Sequence, residues 1–402
     1  MPRRRVVLAA AAALVVAAAA GVSAVVLWPD YGERIRSGRG PYPEAVGGGS
    51  PVHPSRVVAR GDTDVVVDGL RVVVGNTART SDTVTAYDLR SGERFWSYAR
   101  PDVQVREVQE TGGALYVRWA DGLLAAFDPR AAEVVWHRML ADGAGEMGLR
   151  LAGDVVLVVR SGEARAFAAA TGEEKWAADL PRGCRSGADA RHDARAGHIL
   201  VLRMSCGAVA LDTRRGAVRW GPWGAGRTAV VPVDDERVAL ARGDGTAVLH
   251  SAARGERLGS VRAPAGTFVA GTRDTLVSYD GGVGTRSVVL AGWDLAADEL
   301  AWTIRRGRGG SWSGAYLAGD LLYTVRTTTA TQRRLLVYDA ATGQERSRTD
   351  IDLTEYLDVP RYAYDDTEVS VADVSYGTVD LDVDTGRGLL FPSGDDLLLA
   401  AS

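Results

Sequence analysis

The sequence predicts an all-β fold made of eight copies of one four-stranded antiparallel unit, preceded by a single N-terminal transmembrane helix. Three observations support this prediction. A strand–turn–strand pattern recurs along the chain at a nearly constant spacing. Short apolar runs separate the copies, as expected for buried strands. An uncharged segment of 22 residues follows three arginines near the N-terminus.

The recurring pattern is clearest at residues 86–96, which have the sequence AYDLRSGERFW. It predicts one strand ending at Asp88, a tight turn, and a second strand. Gly92 can adopt the positive φ that closes a short hairpin loop. Trp96 lies on the outgoing strand, where a large flat ring can cover a neighbouring sheet.

Seven further copies follow the same order of an Asp before the turn, a Gly in it and a Trp after it. The positions that keep the pattern are Asp88, Gly92, Trp96, Asp128, Trp136, Gly172, Trp176, Asp212, Gly216, Trp220, Asp294, Trp302, Asp339, Gly343, Asp382 and Gly386. The Asp positions are 39 to 45 residues apart, with a mean of 42. A period of that length filled with short strands indicates the blades of an eight-bladed β-propeller. The fifth copy is degenerate, with Ser251 and Gly259 in the Asp and Trp positions. Seven blades are the alternative if that copy is an insertion.

Residues 86–96 resemble the PQQ-type propeller repeat, whose pattern is Ala-x-Asp-x-x-Thr/Ser-Gly-x-x-x-Trp. The resemblance covers roughly residues 60–402. It implies that the tryptophans pack between adjacent blades, where each ring buries about 200 Å². Residues 396–401 resemble an inner strand, and we expect them to complete the first blade and close the ring, since a propeller cannot leave its edges bare.

The N-terminal part predicts a membrane anchor and a tether. Arg3, Arg4 and Arg5 belong to a cytoplasmic stub at 1–5, a single-pass helix covers 6–28, and a Pro/Gly-rich linker that orders little covers 29–56. The propeller covers 57–402 and lies on the extracytoplasmic side of the cell membrane. The competing interpretation is a signal peptide cleaved after Ala24.

The two cysteines both fall in the fourth repeat. Cys184 begins the first strand region of that repeat and Cys206 follows the next strand. The start of one antiparallel strand and the end of the next lie at the same end of a sheet. Because an exported location permits oxidation, we predict a disulfide between Cys184 and Cys206. Buried free thiols are the alternative.

Composition excludes one class of partner. The net charge is −4, whereas a surface that binds nucleic acid is clearly basic. Lys175 is the single lysine among 47 basic residues, which points to the codon usage of a high-GC genome, that of an actinobacterium.

No catalytic, cofactor or metal site is predicted. The five histidines have no partners at zinc-ligand spacing. The alternating carboxylates Asp380, Asp382 and Asp384 precede a glycine turn and suggest a calcium loop, but Asp382 already has a role in the repeat. Quinoprotein enzymes that share the repeat are longer and use an adjacent cysteine pair, whereas Cys184 and Cys206 are 22 residues apart.

Three functions remain open. The preferred one is a non-catalytic, membrane-tethered scaffold that binds an unidentified envelope or membrane protein. This resembles the non-catalytic propellers of the repeat family, which bind protein partners. The alternative is an ectodomain that senses envelope glycans or small molecules. The third is a quinoprotein dehydrogenase, which the chain resembles in the repeat only.

Overall fold

A computed structural model describes residues 31–37, 40–44, 53–60, 64–75, 82–140, 147–185, 193–224, 228–263, 266–280, 288–305, 311–328, 332–352, 380–384, 389–393 and 397–401. These residues form β-strands joined by turns, and the strands assemble into eight antiparallel sheets. The predicted stub at 1–5 and helix at 6–28 lie outside this range. In the described ranges, no helix has the length and apolar character needed to cross a bilayer.

Seven sheets have four strands and one has five. We number them 1 to 8 along the chain and give their strands in spatial order. Sheet 1 contains Val65–Val67, Leu70–Val74, Thr83–Asp88, Arg94–Ala99 and Arg34–Ser37. Sheet 2 contains Val105–Thr111, Ala114–Trp119, Leu123–Asp128 and Glu133–Met139. Sheet 3 contains Met147–Ala152, Val155–Arg160, Glu163–Ala168 and Glu174–Asp179. Sheet 4 contains Ala194–Ala196, Ile199–Met204, Gly207–Asp212 and Ala217–Trp223.

The remaining four sheets follow the same plan. Sheet 5 contains Ala229–Pro232, Arg237–Ala241, Thr246–Ser251 and Arg257–Arg262. Sheet 6 contains Thr267–Gly271, Thr275–Tyr279, Val288–Asp294 and Glu299–Arg305. Sheet 7 contains Ser311–Ala318, Leu321–Thr327, Gln332–Asp339 and Glu345–Asp352. Sheet 8 contains Asp380–Asp384, Leu389–Ser393, Leu397–Ala401 and Pro54–Arg60.

The core lies between neighbouring sheets. The first strands of sheets 1 to 3 lie beside one another in sequence order, and so do those of sheets 4 to 8. Val155–Arg160 is an almost continuous apolar run that is buried on both faces, as a strand covered by sheets on both sides requires. The fourth strands are mostly exposed, as Glu299–Arg305 shows. Burial is therefore highest in the second and third strands, as in sheet 2, and falls at the fourth strands on the outer rim.

The predicted hairpins of the first seven copies are confirmed as the third and fourth strands of sheets 1 to 7. Residues 83–88 and 94–99 form the third and fourth strands of sheet 1. The degenerate fifth copy also forms such a hairpin, with Thr246–Ser251 and Arg257–Arg262 inside sheet 5. That copy is a regular sheet and not an insertion. The eighth copy also forms a hairpin, but Asp380–Asp384 and Leu389–Ser393 are the first and second strands of sheet 8.

The C-terminal strand differs from its prediction. We expected residues 396–401 to be an inner strand that completes the first blade. Leu397–Ala401 instead lies third in sheet 8, where it pairs with the N-terminal strand Pro54–Arg60. The last described strand and a strand from the N-terminal part of the chain thus share one sheet.

The predicted linker also contains ordered structure. Arg34–Ser37 pairs antiparallel with the outer strand of sheet 1, and Tyr42 packs on the same sheet. Pro54–Arg60 lies in sheet 8, so that sheet begins before the expected boundary at residue 57. Proline and glycine content therefore did not reveal that parts of 29–56 pair with the sheets.

Candidate functional site

The spacing of residues within each copy of the motif arises from the turn between the third and fourth strands. In sheet 1 the Asp88 Oδ1 accepts hydrogen bonds from the backbone N–H groups of Arg90 and Ser91, both at 2.7 Å. Asp128, Asp212, Asp294 and Asp339 accept the corresponding pair of bonds in their own turns. A short carboxylate that bonds the backbone two and three residues ahead stabilises a tight turn. These aspartates are turn residues.

In sheets 1 to 7 the fourth residue after the Asp position adopts a left-handed conformation. Gly92, Gly172, Gly216, Gly255 and Gly343 have φ between 66° and 73°. Ala132 and Asp298 occupy the same position in sheets 2 and 6 and both have φ of 53°. The turn thus imposes this conformation even on alanine and aspartate. These two copies therefore keep the turn although they lack the glycine of the motif.

The motif tryptophans join neighbouring sheets by one repeated hydrogen bond. In each case the indole Nε1–H donates to the backbone carbonyl that directly follows the Asp position of the next sheet. The pairs are Trp96 to Pro129 at 3.0 Å, Trp136 to Ala169 at 2.8 Å, Trp176 to Thr213 at 2.9 Å, Trp220 to Ala252 at 2.6 Å and Trp302 to Ala340 at 3.0 Å. The next motif glycine lies under the indole at Gly172, Gly216, Gly255 and Gly343. The tryptophans therefore fasten sheet to sheet.

A β-bulge precedes the Trp position. In sheet 2, Val134 lies opposite Phe127 and Trp136 lies opposite Ala126, so Val135 is the extra residue. The extra residues elsewhere are Phe95, Lys175, Arg219, Leu258, Ala301 and Arg346. Such a bulge re-aims the following side chain. It directs the tryptophan onto the next sheet and leaves the bulge residue on the outer strand.

The eighth copy is only partly described. Asp380, Asp382 and Asp384 lie in one strand, and Gly386 lies outside the described residues. Among the described side chains, no three from His, Cys, Asp or Glu are grouped as a metal site would require.

The predicted disulfide is present. Cys184 lies in the loop after sheet 3 and Cys206 lies in the turn between the second and third strands of sheet 4, with their Cα atoms 5.1 Å apart. Cys184 is buried in the apolar cluster between these two sheets. The bond therefore ties the connecting loop to sheet 4.

The segment before Arg34 is fixed to sheets 1 and 2 by a buried charge cluster. Glu33 accepts hydrogen bonds from the Tyr98 hydroxyl and from His137 Nε2, the latter at 2.8 Å. Burial by itself raises the pKa of Glu33, but the hydrogen bonds from His137 and Tyr98 and the charge of Arg100 outweigh it and hold the pKa below its usual range. Arg100 forms a two-bond ion pair with Asp121 and donates to the Tyr31 carbonyl. Two strands from different sheets thus hold this segment.

Sheet 1 shows how an added segment covers an outer rim. Arg34–Ser37 pairs with residues 96–99, from Ser37 opposite Trp96 to Arg34 opposite Ala99. Just before that pairing, the apolar bulge residue Phe95 is covered by Tyr42, whose ring meets it edge-on at 5.6 Å. The added strand satisfies the open backbone, and the tyrosine covers the apolar side chain.

In sheet 2 the equivalent outer strand is contacted by Glu33 and Tyr31 of the N-terminal segment at the His137 side chain only, among the described contacts. This strand, Glu133–Met139, pairs with no described strand on its outer side. The bulge residue Val135 is 45% exposed and Met139 is 50% exposed. We call this strand the sheet 2 edge. It combines an outer strand with which no described strand pairs and two exposed apolar side chains, and these are features that an extended protein segment can bind.

A cavity of about 230 Å³ lies between sheets 4 and 5. Its lining residues are Trp223, Gly224, Thr228, Leu240, Arg242, Val248, His250 and Arg257. Trp223 stacks on Trp220 at 4.8 Å and lies 4.9 Å from the His250 ring. We call it the Trp223 cavity.

The sequence did not indicate either of these features. Val135 and Trp223 owe their positions to bulges, and hydrophobic periodicity carries no signal for a one-residue shift. Of the other tryptophans outside the motif, Trp119 and Trp312 are buried, and Trp293 packs against the cluster between sheets 5 and 6.

The repeated turns and tryptophan contacts agree with a match between residues 45–203 and a family model described as outer membrane protein assembly factor BamB. The match covers less than half of the chain, and it shows that these residues are similar to the PQQ-like β-propeller repeat.

Individual proteins are similar over different lengths. The quinohemoprotein alcohol dehydrogenase of Comamonas testosteroni is 32% identical in an alignment of 137 residues that covers 28% of this chain and 19% of the enzyme. The chain therefore spans about a fifth of the length of that curated relative. The computationally designed Ika8 protein has a TM-score of 0.54 at 12% identity, covering 88% of this chain and 100% of Ika8. That likeness shows a shared fold. BamB from Moraxella catarrhalis has a TM-score of 0.49 at 17% identity, covering 85% of this chain and 96% of BamB.

Proposed function

We propose that the protein is a non-catalytic, eight-bladed β-propeller that is tethered outside the cell membrane by a helix at 6–28 and binds a partner protein of the envelope. The exposed apolar pair Val135 and Met139 on the sheet 2 edge, with which no described strand pairs, carries this proposal. A partner supplies an extended segment that pairs with residues 136–139 and an apolar side chain that covers Val135.

The contacts on sheet 1 support this mode of binding. Residues 96–99 accept the strand Arg34–Ser37, and Phe95 accepts Tyr42. Residues 136–139 and Val135 hold the same motif positions in sheet 2, so the same backbone geometry is offered there. Main-chain hydrogen bonds supply affinity in such pairing, and the side-chain contacts supply specificity.

The other outer strands are less suited to this role. The bulge residues Lys175, Arg219 and Arg346 are charged, and charged side chains on an edge oppose strand pairing. Leu258 in sheet 5 is 52% exposed, but arginines lie at 254 and 257 beside it. In sheet 6 the bulge residue is the small Ala301, next to Leu300, which is 42% exposed. Among the described fourth strands, the sheet 2 edge carries both an apolar bulge residue and a second exposed apolar side chain three residues after its Trp.

The family description supports a protein-binding role in general. It names an outer membrane protein assembly factor. For this chain we infer the capacity to bind protein, without the particular assembly role. The second candidate, an ectodomain that senses a small molecule, is favoured by the Trp223 cavity.

The test is photocrosslinking in the native membrane from single positions of the full chain. A photoreactive residue at 135 or 139 should crosslink to one protein, and the matched bulge positions 175 and 219 should not. In the V135D/M139D variant, a photoreactive residue at position 133 should no longer give the crosslinked product. The two new carboxylates would be buried against the apolar side chain of the partner, which is unfavourable. Equal crosslinking from all four positions, or a product that survives the double substitution, would contradict the proposal.

A further inference from the structure

We propose that the Trp223 cavity binds a small aromatic carboxylate, with the ring of the ligand against Trp223 and its carboxylate at Arg242 and Arg257. This site is separate from the sheet 2 edge and goes beyond protein binding. It lies where sheet 4 meets sheet 5, at the outer end of their contact.

The aromatic wall depends on an irregular outer strand in sheet 4. Residues three apart in a regular strand point to opposite faces. Here Ala208 lies opposite Trp223 and Ala210 lies opposite Trp220. A step of three residues on the outer strand therefore matches a step of two residues on its neighbour. The shift places both indoles on one face, where they stack at 4.8 Å with 22° between their planes. Both rings pack on Gly255, where a Cβ would come within 2.6 Å of Trp223 and 2.7 Å of Trp220.

Trp223 is the second tryptophan of this interface and has no counterpart in the repeated motif. Trp220 already makes the usual bond to the next sheet, through the carbonyl of Ala252. Trp223 is 37% exposed and faces His250, whose ring lies 4.9 Å away. The cavity therefore has a flat aromatic wall that the repeat itself does not require.

The charge of the lining is positive. Arg242 and Arg257 are exposed, and the described lining residues include no carboxylate. Among the described residues neither arginine forms an ion pair, and Arg257 donates to the neutral Ser260 hydroxyl at 2.9 Å. Guanidinium groups bind carboxylates through strong, directional hydrogen bonds. The Nδ1–H of His250 donates to the Gly255 carbonyl at 3.0 Å, and burial lowers the pKa of His250, so at neutral pH the imidazole adds a flat uncharged surface.

The size and chemistry of the cavity select the ligand class. Sites for drug-sized ligands occupy roughly 300–1,000 Å³, and this cavity of about 230 Å³ suits a single ring. Leu240 and Val248 supply apolar lining, and the hydroxyl of Thr228 is the single hydroxyl group among the lining side chains. A sugar needs several polar partners for its hydroxyl groups, and the described lining has neither carboxylates nor side-chain amides. An aromatic ring with one carboxylate matches it better.

The test uses the full chain in detergent micelles and benzoate as the probe, followed by isothermal titration calorimetry. We expect one saturable site per chain. The R242Q/R257Q variant should bind benzoate at least about tenfold more weakly, as expected for the loss of charge-assisted hydrogen bonds. W223L should weaken binding to a similar degree, because the benzoate ring can no longer stack on the indole of Trp223. R254Q is the matched control, since Arg254 lies in the same sheet but does not line the cavity.

Two further probes separate the parts of the proposal. Benzyl alcohol keeps the ring and lacks the charge, and cyclohexanecarboxylate keeps the charge and lacks the aromatic face. Both should bind several-fold more weakly than benzoate. Thermal melts of each variant verify that the fold is intact. The proposal is overturned if benzoate shows no saturable binding, if R242Q/R257Q and W223L bind as tightly as R254Q, or if either comparison probe binds as tightly as benzoate.

Discussion

The indole of Trp136 lies directly on Gly172 of the next sheet. Its Nε1–H donates to the Ala169 carbonyl at 2.8 Å, and a Cβ at Gly172 would come within 2.5 Å of the ring. Gly172 also has a φ of 66°, so one residue meets both the conformational demand of the turn and the steric demand of the neighbouring tryptophan. The same pairing recurs at Gly216, Gly255 and Gly343.

The first prediction separates these two demands. G172A should lower the free energy of unfolding by about 3 kcal/mol or more, because it combines a left-handed alanine with overpacking against Trp136. G92A is the matched control, since Gly92 has the same motif position and a φ of 71° but no atom within 4 Å of an added Cβ. It should cost only about 1 kcal/mol. Urea denaturation measures both values, and equal losses would show that the tryptophan contact contributes nothing.

The second prediction concerns the turn aspartates. D339A removes the acceptor for the N–H groups of Ala341 and Thr342, at 3.1 and 2.9 Å, and it should cost about 1–2 kcal/mol. D339N keeps the oxygen acceptor and removes only the ion pair with Arg346, so it should cost less than about 1 kcal/mol. Chemical denaturation of the two variants tests this order. A D339N loss as large as that of D339A would assign the role to charge instead.

The third prediction concerns the disulfide between Cys184 and Cys206, which closes a loop with a sequence separation of 22. Its removal in C184A/C206A should lower the free energy of unfolding by about 3 kcal/mol, because the unfolded chain regains the entropy of an open loop. Reductant should destabilise the native protein and leave the variant unchanged. Native protein with two alkylatable thiols under non-reducing conditions would refute the bond.

The fourth prediction is a pH dependence of the segment at 31–37. The pKa of Glu33 lies below its usual value near 4.5 in the folded protein, so the carboxylate stabilises docking above that pH and its contribution is lost as the pH falls through the lowered pKa. Hydrogen exchange of the Arg34–Ser37 amides, corrected for the intrinsic pH effect, should therefore accelerate in acid.

E33Q should remove most of that dependence and raise the exchange rate at pH 7 by about fivefold or more, equivalent to a loss of about 1 kcal/mol. E44Q is the control, because Glu44 is an exposed acid of the same region that pairs with Arg90. An E33Q profile that follows the native one at every pH would exclude Glu33 as the group that holds this segment.

The repeat architecture could be predicted because its signals are local. A turn aspartate, a glycine that adopts positive φ and a tryptophan each have a physical reason to occupy fixed positions, and their recurrence located the hairpins of sheets 1 to 7. The disulfide followed from the same register. The strand Arg34–Ser37 could not be predicted, since its stability comes from Glu33, Tyr98 and His137, which are far apart in sequence.

The candidate sites were beyond sequence reasoning for a related reason. Val135 and Trp223 would occupy other faces in regular strands, and only the bulges at these points bring them to the outer rim and to the cavity. The C-terminal strand Leu397–Ala401 was assigned to the wrong sheet, because an apolar run of this kind fits any inner position. Its partner, Pro54–Arg60, begins in a segment whose composition predicted a linker.

The measurement that tests the proposed function most directly is hydrogen exchange of the full-length protein, free and in complex with the partner identified by crosslinking from residue 135. Pairing of a partner strand with the sheet 2 edge should slow exchange of the Glu133–Met139 amides and leave those of Glu174–Asp179, the matching strand of sheet 3, unchanged. Protection confined to other strands or loops, with Glu133–Met139 exchanging as in the free protein, would contradict the assignment of this edge as the binding site.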